Sequence, residues 1–358
     1  MNKRVILGMS GGVDSCVACH LLLKEGYEVI GVTMNLVPKG HLYDEEKGCC
    51  SLSSVMDAKI VAEAMGVKHY TMSFREEFDR KVIENFVREY SLGYTPNPCV
   101  ACNKYIKFNS FVDKIRPLKA DFISTGHYAK VEFDKNYNRY LLKRAKDSKK
   151  DQTYFLYNTS QEVLSKTLFP LADLEKEKVR QIAKDENILT YSKKDSEEIC
   201  FVQNRDHGLF IKQRNPELIK EGYFVDENGN KLGKHKGIVY YTVGQRKGLG
   251  IALGKRVFVS KINAIDNTVT LSDEDALYKD KIKIREENFI PFDTLEKPLE
   301  VSVKVRHGQN ETKGLLFYKN NELFVEFEKQ VRAPNKGQSA VFYLDDIVVG
   351  GGIIDEVY

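Results

Sequence analysis

A short string near the start of the chain, Ser10-Gly11-Gly12-Val13-Asp14-Ser15, limits the fold more than any other feature. It follows Val5-Ile6-Leu7, which reads as a buried strand, and precedes a helical pattern over 16–23 and a second strand over 28–34. Glycines and small hydroxyls at such a junction let the backbone approach an anion, and the amides and positive end of the helix stabilise phosphate there. A tight βα turn with Ser10 as a plain helix cap would look the same locally. The whole string, in this setting, favours phosphate.

What the string lacks is equally informative. A Walker loop needs Gly-Lys followed by Ser or Thr, because its lysine reaches the terminal phosphates. Here no lysine follows the glycines. The string instead resembles the pyrophosphate loop of the ATP pyrophosphatases, which cleave ATP between the α and β phosphates. That resemblance implies ATP with Mg2+, an adenylated intermediate and released pyrophosphate. It places Gly8, Met9, Ser10, Gly11, Gly12, Val13, Asp14 and Ser15 around the nucleotide, joined by Met34 and Gly126, although a lone methionine is more commonly core.

The first half alternates strand and helix: helix over 53–65, strand over 69–72, helices over 76–90 and 106–118, then a strand ending at Gly126-His127. Such alternation predicts an α/β domain, a parallel sheet with helices on both faces and its ligand beyond the strand carboxyl ends. A helical pattern continues over 174–188. Then "VDENGNKLGKHKG" supplies a hairpin turn and "YTVGQRKGLGIALG" a basic, glycine-rich loop. From about Lys255 the chain reads as short strands and turns, which predicts a small β-barrel. The expected division is a catalytic domain over 1–206, a small mixed central module over 207–277 and a C-terminal β-barrel over 278–358. No repeat or low-complexity tract interrupts it.

At 358 residues two or three domains are expected. Without any Trp, the cores rest on 19 Phe and 19 Tyr. A formal charge of +4 demands no nucleic-acid partner and permits one only if the basic residues cluster. No apolar run reaches the roughly 18 residues of a membrane span, and no cleavage site follows Asn2-Lys3-Arg4. Seven cysteines, an odd number, are expected as thiols in a cytoplasmic protein without membrane partners.

Cys99 and Cys102 form a Cys-Xaa-Xaa-Cys pair at a helix start, which alone fits a redox couple, half a zinc site or chance. Zinc would need a second pair, and the adjacent Cys49-Cys50 chelate awkwardly. Cys200, in "KKDSEEICFV", reads by default as a small buried residue, and Cys16 and Cys19 read as core. Seven strings then occur in order across the chain: "GMSGGVDS"; "TPNP" with the following "CN" and "IKF"; "STGHY"; "KDQTYFLY"; "KDS" with "ICF"; "TVGQRKGLGI"; and "GQSAVFY". Together they resemble the tRNA-specific 2-thiouridylases, sulfurtransferases that replace O2 of the wobble uridine at position 34 in tRNA for Lys, Glu and Gln.

The resemblance implies the site. Cys200 would carry a persulfide loaded by a cysteine desulfurase or a sulfur-relay protein, and Cys102 would be its partner thiol, leaving a Cys102–Cys200 disulfide for an external reductant. Lys104, Lys107, Lys193 and Lys194 would favour thiolate. Asn97, Pro98 and Cys99 match the target-base segment, and Lys150, Asp151 and Gln152 the tRNA-contact segment. His127, Arg306, His307 and Gln338 also align with tRNA-touching positions. The β-rich tail would hold the tRNA body by phosphate contacts with the wobble base flipped out. Two departures stand out. Cys99 occupies a position where the family often has Asp, a group for acid–base handling of the base; with Cys102 and Cys200 it would make three ligands for a 4Fe–4S cluster delivering sulfide. Glu197-Glu198 stand where small residues are common. Alternatives are another ATP pyrophosphatase, either a thiolase of a different tRNA position or an amide-forming ligase, and a non-catalytic tRNA-binding protein.

Overall fold

The computed structural model describes residues 2–36, 38, 52–193, 195, 199–202 and 206–358. Cys49-Cys50, Lys194 and Glu197-Glu198 lie outside the described residues. Strands β1 (Arg4–Gly8), β2 (Glu28–Asn35), β3 (Lys68–Ser73) and β4 (Phe122–Thr125) are built from the apolar runs of the first half. Strands β5 (Lys130–Asp134) and β6 (Arg139–Lys143) then form a hairpin, and the two-residue β7 (Thr167–Leu168) follows. A five-stranded parallel sheet runs β3-β2-β1-β4-β7. The two-residue period of β1 sorts its side chains: Val5 and Leu7 join helices Val13–Lys24, Leu52–Ala64 and Lys176–Asp185 in one core, while Ile6 joins Phe74, Phe78 and Phe111 in another. Helices thus cover both faces, as the alternation predicts.

The helical stretches over 75–91 and 98–118 each contain a wider turn, at Asp79–Ile83 and at Asn103–Ser110. The central module follows helix His207–Arg214 with β8 (Gly222–Val225), β9 (Lys231–His235), β10 (Phe258–Asn263) and β11 (Thr268–Ser272) in the order β10-β11-β8-β9. Residues 241–254, the basic glycine-rich segment, form no strand or helix.

Strands β12 (Tyr278–Phe289), β13 (Leu299–Lys304), β14 (Thr312–Lys319), β15 (Glu322–Arg332), β16 (Ser339–Leu344) and β17 (Ile347–Val357) run β12-β15-β14-β13-β16-β17, and β12 pairs with β17 to close a six-stranded barrel. Alternate residues, among them Val301, Val303, Leu323, Val325 and Phe342, fill its interior. The β5–β6 hairpin leaves the parallel sheet and pairs instead with β17, through Lys143 and Ile347. Nothing in the local sequence announces this pairing. Tyr157 seats the barrel from the same side, because its ring occupies the space a side chain at Gly351 would need.

Candidate functional site

The glycine-rich string forms the turn between β1 and the helix Val13–Lys24. The helix N-cap is Gly12 and no side chain bonds the cap, so Ser10 is not the capping residue. Ser10 instead donates its N–H to Ser15 Oγ at 3.2 Å, and Ser15 Oγ donates to the Gly12 carbonyl at 3.0 Å. Gly11 has φ +69°, and a Cβ there would lie 2.1 Å from the Ser54 carbonyl oxygen. Only glycine fits both demands. Gly126, just past β4, presses on the first helical turn: a Cβ would lie 2.7 Å from Ser15 N. Met9 donates its N–H to the Val32 carbonyl at 2.9 Å, while Met34 and Thr125 flank Gly8. Val13 and Ser15 are buried and Ser10 is exposed. The structure therefore gathers Gly8 to Ser15, Met34 and Gly126 at the carboxyl ends of adjacent strands.

Residues that sequence reasoning missed complete this end. Lys176 Nζ donates to both carboxylate oxygens of Asp14, at 2.7 and 2.8 Å, and pairs with Asp195 at 2.8 Å. Tyr128 Oη donates to Asp14 Oδ1 at 2.8 Å, and Asp195 accepts from Lys150 and Arg180 at 2.7 and 2.9 Å. Burial would raise the Asp195 carboxyl, but the Lys150 and Lys176 hydrogen bonds outweigh it and hold the pKa below its ordinary value. Burial, then Asp14, pushes the Tyr128 phenol far up, so it stays a donor. A clue was available: Lys176 is the first residue of helix Lys176–Asp185, where a cation opposes the helix dipole and calls for a carboxylate partner.

The thiol segment is built differently. Asn97 Oδ1 accepts from Cys99 N and Val100 N at 3.1 and 3.2 Å, and Pro98 opens the helix Pro98–Cys102. Cys99 is exposed, Cys102 is buried, and Cys200 is half-buried. Cys102 and Cys200 pack against the same core, where Phe201 meets Phe78, Phe86 and Phe210. Among the described residues, no group of three or more His, Cys, Asp or Glu is gathered so as to hold a metal. Cys99, Cys102 and Cys200 are thus not gathered as such a group. Lys104 pairs with Glu286 at 3.4 Å, and Lys193 lies on Asp57 and the glycine loop. Cys16 and Cys19 are buried on the first helix, and burial raises both thiols, Cys19 to about 12.

The remaining expected contacts divide by exposure. Arg306 and His307 are exposed, the His307 ring tilted on Phe155 with centroids 4.5 Å apart. Asp151 accepts from Ala145 N and from Thr153, and Gln152 Oε1 accepts from Tyr128 N at 2.9 Å, so both fasten the chain; Lys150 is held by Asp195. His127 is 8% exposed, with Nδ1 2.7 Å from Thr125 Oγ1 and Nε2 3.4 Å from Lys107 Nζ. Burial, then Lys107, lowers its pKa well below the ordinary histidine value and keeps it neutral. Gln338 is 7% exposed and donates to the Thr95 and Pro96 carbonyls at 2.7 and 3.3 Å. The expectation that His127 and Gln338 touch RNA directly meets this burial: both side chains are engaged with protein.

Three family models match in sequence: a tRNA methyl transferase HUP domain over residues 3–204, a tRNA methyl transferase PRC-barrel domain over 209–273 and an aminomethyltransferase beta-barrel domain over 279–354. The tRNA-specific 2-thiouridylase MnmA 1 of Clostridium botulinum is 51% identical, over 99% of this chain and 100% of its own length. The tRNA-specific 2-thiouridylase MnmA of Clostridioides difficile is 51% identical over 99% of each chain. The protein of the same name from Clostridium acetobutylicum is 50% identical over 99% of this chain and all of its own. A solved structure of NMN synthetase from Francisella tularensis is similar over 60% of this chain and 78% of its own, at 14% identity and a TM-score of 0.34.

Proposed function

The chain belongs to the tRNA-specific 2-thiouridylases, and from that membership we propose that it catalyses ATP-dependent 2-thiolation of the wobble uridine in tRNA for Lys, Glu and Gln. The observation that carries this reading is the extent of the likeness, which spans the glycine loop, both candidate thiols and the barrel at about half identity. An ATP pyrophosphatase of another kind would leave the thiols and barrel unexplained. A non-catalytic tRNA binder would leave the constrained Gly11 and Gly126 unexplained.

The chemistry we propose is the one that this membership implies. Mg·ATP is the nucleotide substrate, its phosphates received at the loop Ser10–Ser15 and the helix start. The uracil O2 forms a bond to the α-phosphorus, the bond to the bridging oxygen breaks, and pyrophosphate leaves with the electron pair. The O2-adenylate is then a good leaving group, which a bare carbonyl oxygen is not. The terminal sulfur of a Cys200 persulfide attacks C2, and AMP departs with the former O2. Cys102 thiolate next attacks the Cys200 sulfur, breaking the S–S bond and leaving sulfur on the base. The two cysteines end as a disulfide, which an external dithiol reduces. A cysteine desulfurase or relay protein supplies the persulfide sulfur.

We assign Asn97, Pro98 and Cys99 to the target base, with exposed Cys99 as a proton-handling group, and Lys150, Arg306 and His307 to the tRNA itself. Asp151, Gln152, His127 and Gln338 serve by holding these segments in place. Among the described residues no helix is long and apolar enough to cross a membrane, and a tRNA substrate fits a cytoplasmic protein. The test supplies Mg·ATP, tRNA and a persulfide donor, then measures 2-thiouridine and pyrophosphate. Both are expected in equal amounts. Thiolation at full rate with no α–β cleavage of ATP would overturn the reading.

A further inference from the structure

The glycine string carries no lysine of its own, yet a distant one arrives. Lys193 lies 182 residues along the chain from Gly11, and its Nζ is 3.3 Å from the Gly11 carbonyl oxygen. The same ammonium is 3.3 Å from Ser54 Oγ and 2.8 Å from Asp57 Oδ2. Ser54 is the residue whose carbonyl excludes any side chain at Gly11, so the ammonium sits where the loop and the helix Leu52–Ala64 meet. Lys193 also differs from the other lysine of this end. Lys176 is 10% exposed and bound to two carboxylates, whereas Lys193 and Asp57 are 36% and 38% exposed and form one solvent-facing pair. The buried lysine is fixed, and the exposed one has room to exchange partners.

We propose that Lys193 is the cation the loop lacks: its ammonium leaves Asp57 for the β- and γ-phosphates of ATP and stabilises pyrophosphate as it departs. The inference rests on the ATP-cleaving reading above and names a residue of that site. When the bond from the α-phosphorus to its bridging oxygen breaks, the electron pair goes to pyrophosphate, whose charge grows. The ammonium already lies at the loop carbonyl, and donors preplaced in this way act where charge develops. Among the described residues, the hydrogen-bond partners of the Lys193 ammonium all belong to the nucleotide end.

The test uses the full-length enzyme with tRNA and Mg·ATP, following exchange of labelled inorganic pyrophosphate into ATP and inhibition by inorganic pyrophosphate, with AMP binding measured alongside. Lys193→Met is expected to slow exchange by about 10²–10³-fold and to raise the inhibition constant for pyrophosphate, while AMP binding changes less than about 3-fold because AMP lacks the outer phosphates. Lys193→Arg, which keeps the charge, restores part of the exchange. Asp57→Asn, which frees the ammonium, lowers the inhibition constant. Equal losses in Lys193→Met and Asp57→Asn, with AMP binding lost as well, would show a merely structural tie and overturn the proposal. So would full exchange in Lys193→Met. A wild-type enzyme that neither exchanges nor releases pyrophosphate would instead remove the ATP-cleaving reading, and the inference with it.

Discussion

Two segments carry the proposed chemistry, and they are held in opposite ways. The glycine loop is fastened by charge: Asp14 accepts Lys176 and Tyr128, and Lys193 stands on the Gly11 carbonyl, all within the α/β part. The segment leading to Cys99 and Cys102 is fastened by neutral groups from the barrel: Thr95 N donates to the Lys336 carbonyl at 2.8 Å and Gln338 donates to Thr95 and Pro96. Charged fastening responds to another charge, such as a phosphate, and to the protonation of its members. Neutral amide bonds hold position and ignore both. The loop end is thus held mainly by charge, and the stretch before Cys99 by neutral hydrogen bonds.

The sharpest way to separate the two is to remove the sulfur step alone. Cys102→Ser is expected to lower 2-thiouridine formation by about 10³-fold or more, while tRNA-dependent pyrophosphate release persists for a first turnover. Loss of both signals together would mean that the ends are one unit. Next in size, Lys176→Met leaves Asp14 and Asp195 without their shared cation. It should cost about 3 kcal/mol, the low end for a broken buried pair, since both carboxylates keep some water. A urea midpoint reads this out, and a change under about 1 kcal/mol would refute the charged fastening.

Gln338→Ala tests the neutral side. It should cost about 1–2 kcal/mol and raise KM for tRNA while leaving KM for ATP in place; equal rises in both would contradict the division of labour. The smallest effect concerns pH. Because the His127 pKa is lowered in the folded protein, the unfolded chain binds its proton first as pH falls. Stability is full above the ordinary histidine value and declines as pH drops below it, by about 0.7 kcal/mol between pH 7 and 6 from this residue. His127→Gln should flatten that part of the melting-temperature profile.

The parallel sheet, the loop and the barrel were legible because each rests on a local pattern: period two in Val5 to Leu7, small residues at Gly11 and Gly126, and short alternating strands after Lys255. The Lys176 network was not, since a lysine on a polar helix reads as solvated until a carboxylate from another element is seen beneath it. The thiol pair was legible only as a motif. The bonds of Gln338 to the preceding stretch, with partners 243 and 242 residues away, leave no mark in the nearby sequence.

The hairpin that leaves the parallel sheet for β17 sets a condition on synthesis. Arg144 bonds the Asp345 and Asp346 carbonyls, and Asp345 lies 201 residues later in the chain. At the ribosome's roughly 5–20 residues per second, that interval is about 10–40 s. Throughout it the β6 edge waits without its strand, open to a neighbouring nascent chain. A strand made much later in the chain is thus the one that covers this edge.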